Sequence, residues 1–345
     1  YVGLEHLDSE EPKILRHGSP QDVVSQKSYF KKGQILFGRR RVYLKKLAIA
    51  NRDGICSTDI YVMEPKSEKI INEFLPIFMQ GEEFYERTIK LSAGSLSPRV
   101  KWSQLSKQEF LIPPIPEQET ILSLTHQTDN AIAKTQSLLQ QTKIYSVSKR
   151  ENLLTRGIGR TKFKKVKWHY GKQIEVPEEW ELVRIKDLCS KITDGTHQTP
   201  KYKKEGMHFL SSENLQPFRK DFNFSRYKKF ISKEEHEELI KRCKPEKGDI
   251  LISKCGTIGD TQLIRTSDEF SIFVGLMLIK IKNEKINKNF FEHLLNSNQL
   301  KQRMEISAPG STRKTLTIGA FSELEIWLPP LPEQKEIESI LSKTN

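Results

Sequence analysis

The chain has 345 residues and carries a net charge of +13 at neutral pH, with a pI near 9.4. Its 36% hydrophobic content is enough for two modest cores, and its excess of base favours a polyanionic partner, most readily nucleic acid. The longest apolar stretch, residues 272–279, is far too short for a membrane span. The four cysteines show no CxxC spacing, which speaks against a disulfide frame or zinc site and for reduced thiols in a cytoplasmic protein.

From the N-terminus, residues 33–37, 46–50 and 59–63 read as strands and 70–90 as a helix. The positive charge is clustered here, with eight basic residues and no acid between Lys31 and Arg52. Within that run Arg39, Arg40, Arg41, Tyr43, Lys45 and Lys46 follow a strand, where guanidiniums can meet phosphates or guanine edges. Ser95 and Arg99 stand on a polar loop further on. A strand-like segment, 109–112, then leads into Ile112-Pro113-Pro114-Ile115-Pro116-Glu117-Gln118. Pro116 suits the first turn of a helix, which needs no proline N–H. No Pro or Gly follows until Gly157. Leu124, Thr128, Ala131, Thr135, Leu138, Thr142 and Tyr145 alternate at spacings of four and three, a Thr-rich helix-pairing seam. Forty residues at 1.5 Å each make a rod of about 60 Å.

A second acid-free run, Arg156 to Lys167, holds six basic residues, and the pattern then begins again. Residues 248–253, 261–265 and 270–281 read as strands, and 233–242 and 289–305 as helices. The proline junction returns as Leu328-Pro329-Pro330-Leu331-Pro332-Glu333-Gln334 after strand-like 323–328, an offset of 216 residues. Lys32-Gly33-Gln34-Ile35-Leu36 returns as Lys247-Gly248-Asp249-Ile250-Leu251. Such an internal repeat predicts two equivalent units. The second has a lead-in, 176–207, with no counterpart ahead of Tyr1, and its junction runs out at Asn345. Both ends thus fall inside the repeat, as expected of a piece of a longer protein.

Marks of catalysis are missing from the sequence: it has no HExxH, no GxxxxGK[ST] and no Asn/Asp-Pro-Pro-aromatic tetrapeptide. Asp249, Lys254 and Asp260 only loosely resemble a nuclease's acid–acid–lysine spacing. Asp249 stands where the first unit has Gln34, and reads as a turn residue. The polar features of the second unit are binding features. Thr196, His197, Gln198, Lys201 and Tyr202 lie on the loop that starts at Asp194-Gly195, and Lys254 and Thr257 on a glycine turn. Ser311, Thr312, Arg313 and Lys314 form a further polar loop. Each of these loops could instead be an ordinary hydrogen-bonded turn. The four tryptophans, Trp102, Trp168, Trp180 and Trp327, read as core.

The doubled Pro-Pro-x-Pro-Glu-Gln junction, Val176-Pro177-Glu178-Glu179-Trp180, the Asp194-Gly195-Thr196-His197 loop and Gly248-Asp249-Ile250-Leu251 together resemble the specificity subunit of type I restriction–modification systems. The resemblance covers essentially the whole chain. It implies an α+β fold in which two duplicated target-recognition domains are separated by long conserved helices that pair as an antiparallel coiled coil. Residues 1–113 would be the first domain, 114–160 the central helix, 161–330 the second domain and 331–345 the start of a distal helix. It further implies a double-stranded DNA partner with a bipartite target, two methyltransferase subunits and added restriction subunits. S-adenosylmethionine, ATP and Mg would belong to those subunits, with no cofactor and no catalysis in this chain. The recognition subunit of a type IIB restriction enzyme is the nearest alternative; a nuclease or methyltransferase with degenerate motifs is the alternative of another class.

Overall fold

The computed structural model describes residues 1–94, 96–167, 173–219, 221–224, 228–282, 284–310 and 314–343. The chain divides into two compact units, Tyr1–Leu138 and Leu139–Asn345. The first contains β1 (Ser28–Phe30), β2 (Ile35–Gly38), β3 (Leu47–Ile49), β4 (Gly54–Cys56), β5 (Ile60–Met63), α1 (Phe74–Gln80), α2 (Glu82–Lys90) and α3 (Trp102–Leu105). The long helix α4 (Ile115–Arg156) belongs to both units. The second contains β6 (Phe163–Lys167), β7 (Gln173–Pro177), β8 (Glu181–Arg184), α5 (Ile185–Leu188), β9 (Cys189–Asp194), β10 (Met207–Leu210), β11 (Phe230–Ile231), α6 (Lys233–Arg242), β12 (Ile250–Ser253), β13 (Thr261–Leu263), β14 (Phe270–Ile272) and β15 (Leu276–Ile281). It closes with α7 (Lys288–Leu295), α8 (Asn298–Ser307), α9 (Ile318–Ser322), β16 (Glu325–Leu328) and α10 (Leu331–Ser342). No described helix is long and apolar enough to cross a membrane.

Each unit is built on the same antiparallel core. In the first, β2 lies between β3 and β5, with Ile35 opposite Ile49 and Met63. In the second, β12 lies between β13 and β15, with Ile250 opposite Leu263 and Ile279. Both faces of the central strand are buried, which is why Ile35-Leu36-Phe37 and Ile250-Leu251-Ile252 are continuous apolar runs rather than alternating ones. Ile35 and Phe37 pack with Met79, Phe84 and Tyr85 of the helices, and Leu36 with Phe30, Ala48 and Cys56 on the other face. Ile250 and Ile252 pack with Phe290, Phe291 and Leu295, and Leu251 with Phe270 and Leu276. Each fully buried side chain of this size contributes about 2 kcal/mol.

The repeated junction has a common physical purpose. Gln118 is fully buried. Its Oε1 accepts from the Ile71 amide at 2.9 Å, and its Nε2 donates to the carbonyls of Lys69 at 2.9 Å and Pro113 at 2.8 Å. Gln334, also fully buried, accepts from the Asn287 amide at 2.8 Å and donates to the carbonyls of Lys285 and Pro329, both at 2.8 Å. All six partners are backbone groups, and each pair of equivalents is 216 residues apart. A primary amide can satisfy two carbonyls and one N–H at once, so each glutamine pins the start of its exit helix to the segment that enters α1 or α7.

The units differ where β8 and β9 stand. Strand β16 pairs with β8, and β15 takes β9 on its outer edge. In the first unit β5 is an edge strand, and residues 109–112 form no strand. A strand there was expected from sequence, but no described residue of 1–138 supplies a pairing partner, and Leu111 is left 90% exposed. The same difference separates the neighbouring glutamates. Glu333 is buried and accepts from the Ile158 amide, Arg160 and Trp180 Nε1 at 2.6–3.2 Å. Gly157, at φ +71°, is needed there because a Cβ would lie 2.3 Å from Glu333 Oε1. Glu117 is exposed.

Other expectations shift at their edges. The expected helix 70–90 breaks at Gly81, whose extended backbone starts α2. Helix 289–305 breaks before Ser297, whose hydroxyl caps α8 by accepting from the Leu300 amide. Strand 270–281 is two strands, interrupted at 273–275. Trp180 is core, but Trp102 is half exposed and Trp168 lies outside the described residues. The seam residues of α4, from Leu124 to Tyr145, are exposed, and α10 buries Ile337 and Leu341 in the core of the second unit.

Candidate nucleic-acid interface

In the first unit the arginine run leaves β2 through a strained turn. Arg41 and Lys45 both adopt left-handed backbone, at φ +53° and +48°, which costs on the order of 1 kcal/mol each outside glycine. Buried Val42 and the hydrogen bond from the Arg41 amide to Pro98 hold the turn. Beneath it lies Asp59, which the sequence reading did not single out. Arg99 reaches its carboxylate side-on, with Nε at 2.9 Å and Nη2 at 3.3 Å. Arg40 Nη1 stands 3.5 Å away and Arg39 Nε 3.8 Å. Partial burial opposes the charge on Asp59, but the hydrogen bond and charge of Arg99, with Arg40 and Arg39, outweigh it and hold the carboxyl below its ordinary range. Arg39 also lies over the Tyr61 ring, 5.3 Å from its centroid, and donates to Tyr61 Oη at 3.3 Å.

The sequence-predicted residues of this unit thus fall into three groups. Arg39, Arg40 and Arg99 converge on one carboxylate. Arg41 and Tyr43 are exposed beside them. Lys45 and Lys46 have partners within the unit. Lys45 pairs with Glu10 at 3.1 Å, and Lys46 Nζ donates to the Leu4 carbonyl at 2.7 Å. Both ammoniums are drawn toward the 4–10 segment. Ser95 lies outside the described residues.

In the second unit the corresponding centre is Asp194, at the end of β9. Buried Lys254 reaches it at 2.6 Å, Arg242 at 2.5 Å and His197 Nε2 at 3.2 Å. Burial opposes its charge, but Lys254 and His197 prevail and keep the carboxyl low. Lys254, on the glycine turn, is only 8% exposed along its side chain and serves as an internal counter-ion. Gly195 admits no side chain, because a Cβ would lie 2.1 Å from the Ile272 carbonyl oxygen. Thr196 bridges to β14 and its hydroxyl accepts from the Gln198 amide. The loop is therefore rigid at its base, while His197, Gln198, Lys201 and Tyr202 remain exposed. Thr257 and Lys314 are exposed too. Ser311, Thr312 and Arg313 lie outside the described residues.

The two centres occupy one place in the repeat. The Arg39 amide donates to the Asp59 carbonyl, and the Arg39 carbonyl accepts from the Val100 amide. Lys254 does the same with Gly275 and Leu316. Each unit thus places a base after its central strand and supplies a carboxylate from elsewhere to hold it, Asp59 or Asp194. Neither carboxylate bore a local sequence signal of this role: Asp59 meets arginines 19 and 40 residues away, and Asp194 meets a lysine 60 residues away. No group of three or more potential metal ligands occurs among the described residues.

Two copies of one sheet-and-helix unit, each carrying exposed polar and basic side chains on the loops around its central strand, define a duplicated recognition protein. Residues 17–144 and 177–344 match the family model of the type I restriction modification DNA specificity domain, and the chain belongs to that family. It is 32% identical over 129 residues to the specificity subunit of the EcoDI type I restriction enzyme of Escherichia coli, a match covering 34% of this chain and 28% of the relative. It is 28% identical over 256 residues to the putative MjaX specificity subunit of Methanocaldococcus jannaschii, covering 69% of this chain and 52% of the relative. These matches span about a quarter and about half of the relatives' length. Among solved structures, the HsdS subunit of Thermoanaerobacter tengcongensis shares the fold at TM-score 0.57 and 20% identity, covering 100% of this chain and 82% of that one. A chain from work on assembly and conformational transition of the type I R-M system shares it at TM-score 0.65 and 20% identity, covering 99% and 82%.

Proposed function

We propose that this chain reads a bipartite DNA target and itself performs no chemistry. Each unit reads one half-site, with α4 setting the gap between them. The observation that carries this reading is the repeated placement of Arg39 and Lys254, with their carboxylates, after equivalent strands. The exposed apolar side chains of α4, among them Leu124, Ile132, Leu138, Ile144 and Tyr145, supply apolar surface around the helix for helix pairing and for two methyltransferase subunits. Those partners would bring S-adenosylmethionine and modify adenine, and restriction subunits would bring ATP and Mg, in the cytoplasm. Partner subunits named in this way follow from the family, whose specificity chains recognise and whose other chains catalyse.

Mapping methylated adenines in a genome that carries the full system tests the reading. Two short motifs at a fixed separation are expected. A single uninterrupted motif, or methyl transfer by the purified chain alone, would overturn it.

A further inference from the structure

Resting on that reading, we propose that Arg99 is a guanine-reading residue of the first half-site, and that Asp59 is the positioning residue that makes it one. The guanidinium of Arg99 offers five N–H donors in a planar fork. Asp59 occupies its side edge, with Oδ1 on Nε and Oδ2 on Nη2. One Nη1 hydrogen and the outer Nη2 hydrogen are left on the end edge, with no partner among the described residues, and the side chain is 48% exposed. The backbone is fixed as well. Arg99 exchanges two hydrogen bonds with Ala93 at 3.0 and 3.1 Å and stands in a bridge opposite Arg40.

The choice between base and phosphate follows from geometry. Guanine presents two neutral acceptors, N7 and O6, spaced for such an end-on fork, whereas adenine places a donor beside its N7. The side-on clamp of Asp59 holds the fork in one plane, which a planar base edge requires and a tetrahedral phosphate does not. Arg41 has the opposite properties. Its side chain is exposed and makes no hydrogen bond or ion pair with any described residue, so it suits a phosphate. In the second unit the residue ahead of Leu316 is Thr315, so this reading head belongs to the first unit.

The test is competition binding by the protein assembled with its methyltransferase partner, using duplexes varied one position at a time across both half-sites. For Arg99→Ala the expected result is loss of discrimination at one G·C position of the first half-site, about ten- to a hundredfold, with the second half-site unchanged. Arg99→Lys should lose as much, because an ammonium has no fork. Asp59→Asn should relax the same position while strengthening binding to random duplex. Arg41→Ala should weaken all sequences alike and lower the salt slope by about one. A probe with 7-deazaguanine at that position removes the N7 acceptor without altering the protein. It should weaken wild-type binding and leave Arg99→Ala unaffected. Uniform weakening by Arg99→Ala, or no first-half guanine at which 7-deazaguanine matters, overturns the proposal while leaving sequence-specific binding intact. If the wild-type assembly shows no sequence preference at all, the broader reading falls with it.

Discussion

Gln118 and Gln334 show how a side chain can matter for reasons its neighbours in sequence do not reveal. The repeated Pro-Pro-x-Pro-Glu-Gln string was visible at once, but two of the three partners of each glutamine lie 47 and 49 residues earlier, and all three are backbone groups. Replacing Gln334 with Ala would strand a buried N–H and two carbonyls. Unsatisfied buried polar groups cost about 1–3 kcal/mol each, so Gln334→Ala should lower the unfolding temperature by many degrees in a thermal melt; a change under a degree would show the clamp to be dispensable. Asp59 and Asp194 were illegible for the same reason: what makes each a centre is its position between segments far apart in sequence. His293 gives a second prediction at this scale. Its ring is 4% exposed and stacks on Phe218 at 4.8 Å. Burial, then the charges of Arg150 and Arg265, push its pKa from 6.5 down to about 4. The unfolded chain therefore binds the proton first, so stability is full above pH 6.5 and is lost as pH falls toward 4, by up to about 3 kcal/mol. Urea midpoints across that window should fall less steeply for His293→Phe than for the wild type; parallel curves would refute the assignment.

Elements were legible where their pattern was local and illegible where pairing decided. Helix α6 ends where its periodicity does, at Lys233 and Arg242, and α4 runs uninterrupted because neither Pro nor Gly interrupts its interior. Residues 109–112 carry the same strand-like character as β16, yet among the described residues only β16 has a neighbour to pair with. A strand is a property of two segments, and one sequence window cannot show it. Helix α4 carries the prediction for this scale. Four residues inserted near Gln140 would lengthen it by about 6 Å and turn its far end by about 40°. Two base pairs advance a duplex by about 7 Å, since a turn of roughly ten spans about 34 Å. They also rotate it by about 70°, so modest twisting must absorb the difference. Inserted into the full-length protein, the four residues should lengthen the preferred spacer by one or two base pairs and leave both half-sites intact. Methylation of targets with graded spacers measures this, and an unchanged preference in an active variant would show that α4 does not set the gap.

For the whole molecule, the net charge of +13 predicts binding that weakens steeply with salt, but the charge is not spread evenly over function. Lys46 and Lys254 have partners within the protein, and three arginines share one carboxylate. Sequence counting therefore overstates the number of free phosphate contacts. The two units should nonetheless read independently. Replacing residues 167–327 with the same region of a relative is expected to change one half of the methylated target and preserve the other. If both halves changed together, the units would have to be reading jointly.

The clamp also bears on how such a protein acquires new targets. Gln118 and Gln334 grip only main-chain atoms, which every amino acid except proline provides at the donor position, so the junction is nearly blind to the identity of the residues it holds. Mutations in the reading loops need no compensating change at the helix start, and a foreign loop set entering through the same junction meets a lock it already fits. Lineages carrying this architecture can thus diversify what they recognise while inheriting an unchanged means of assembly.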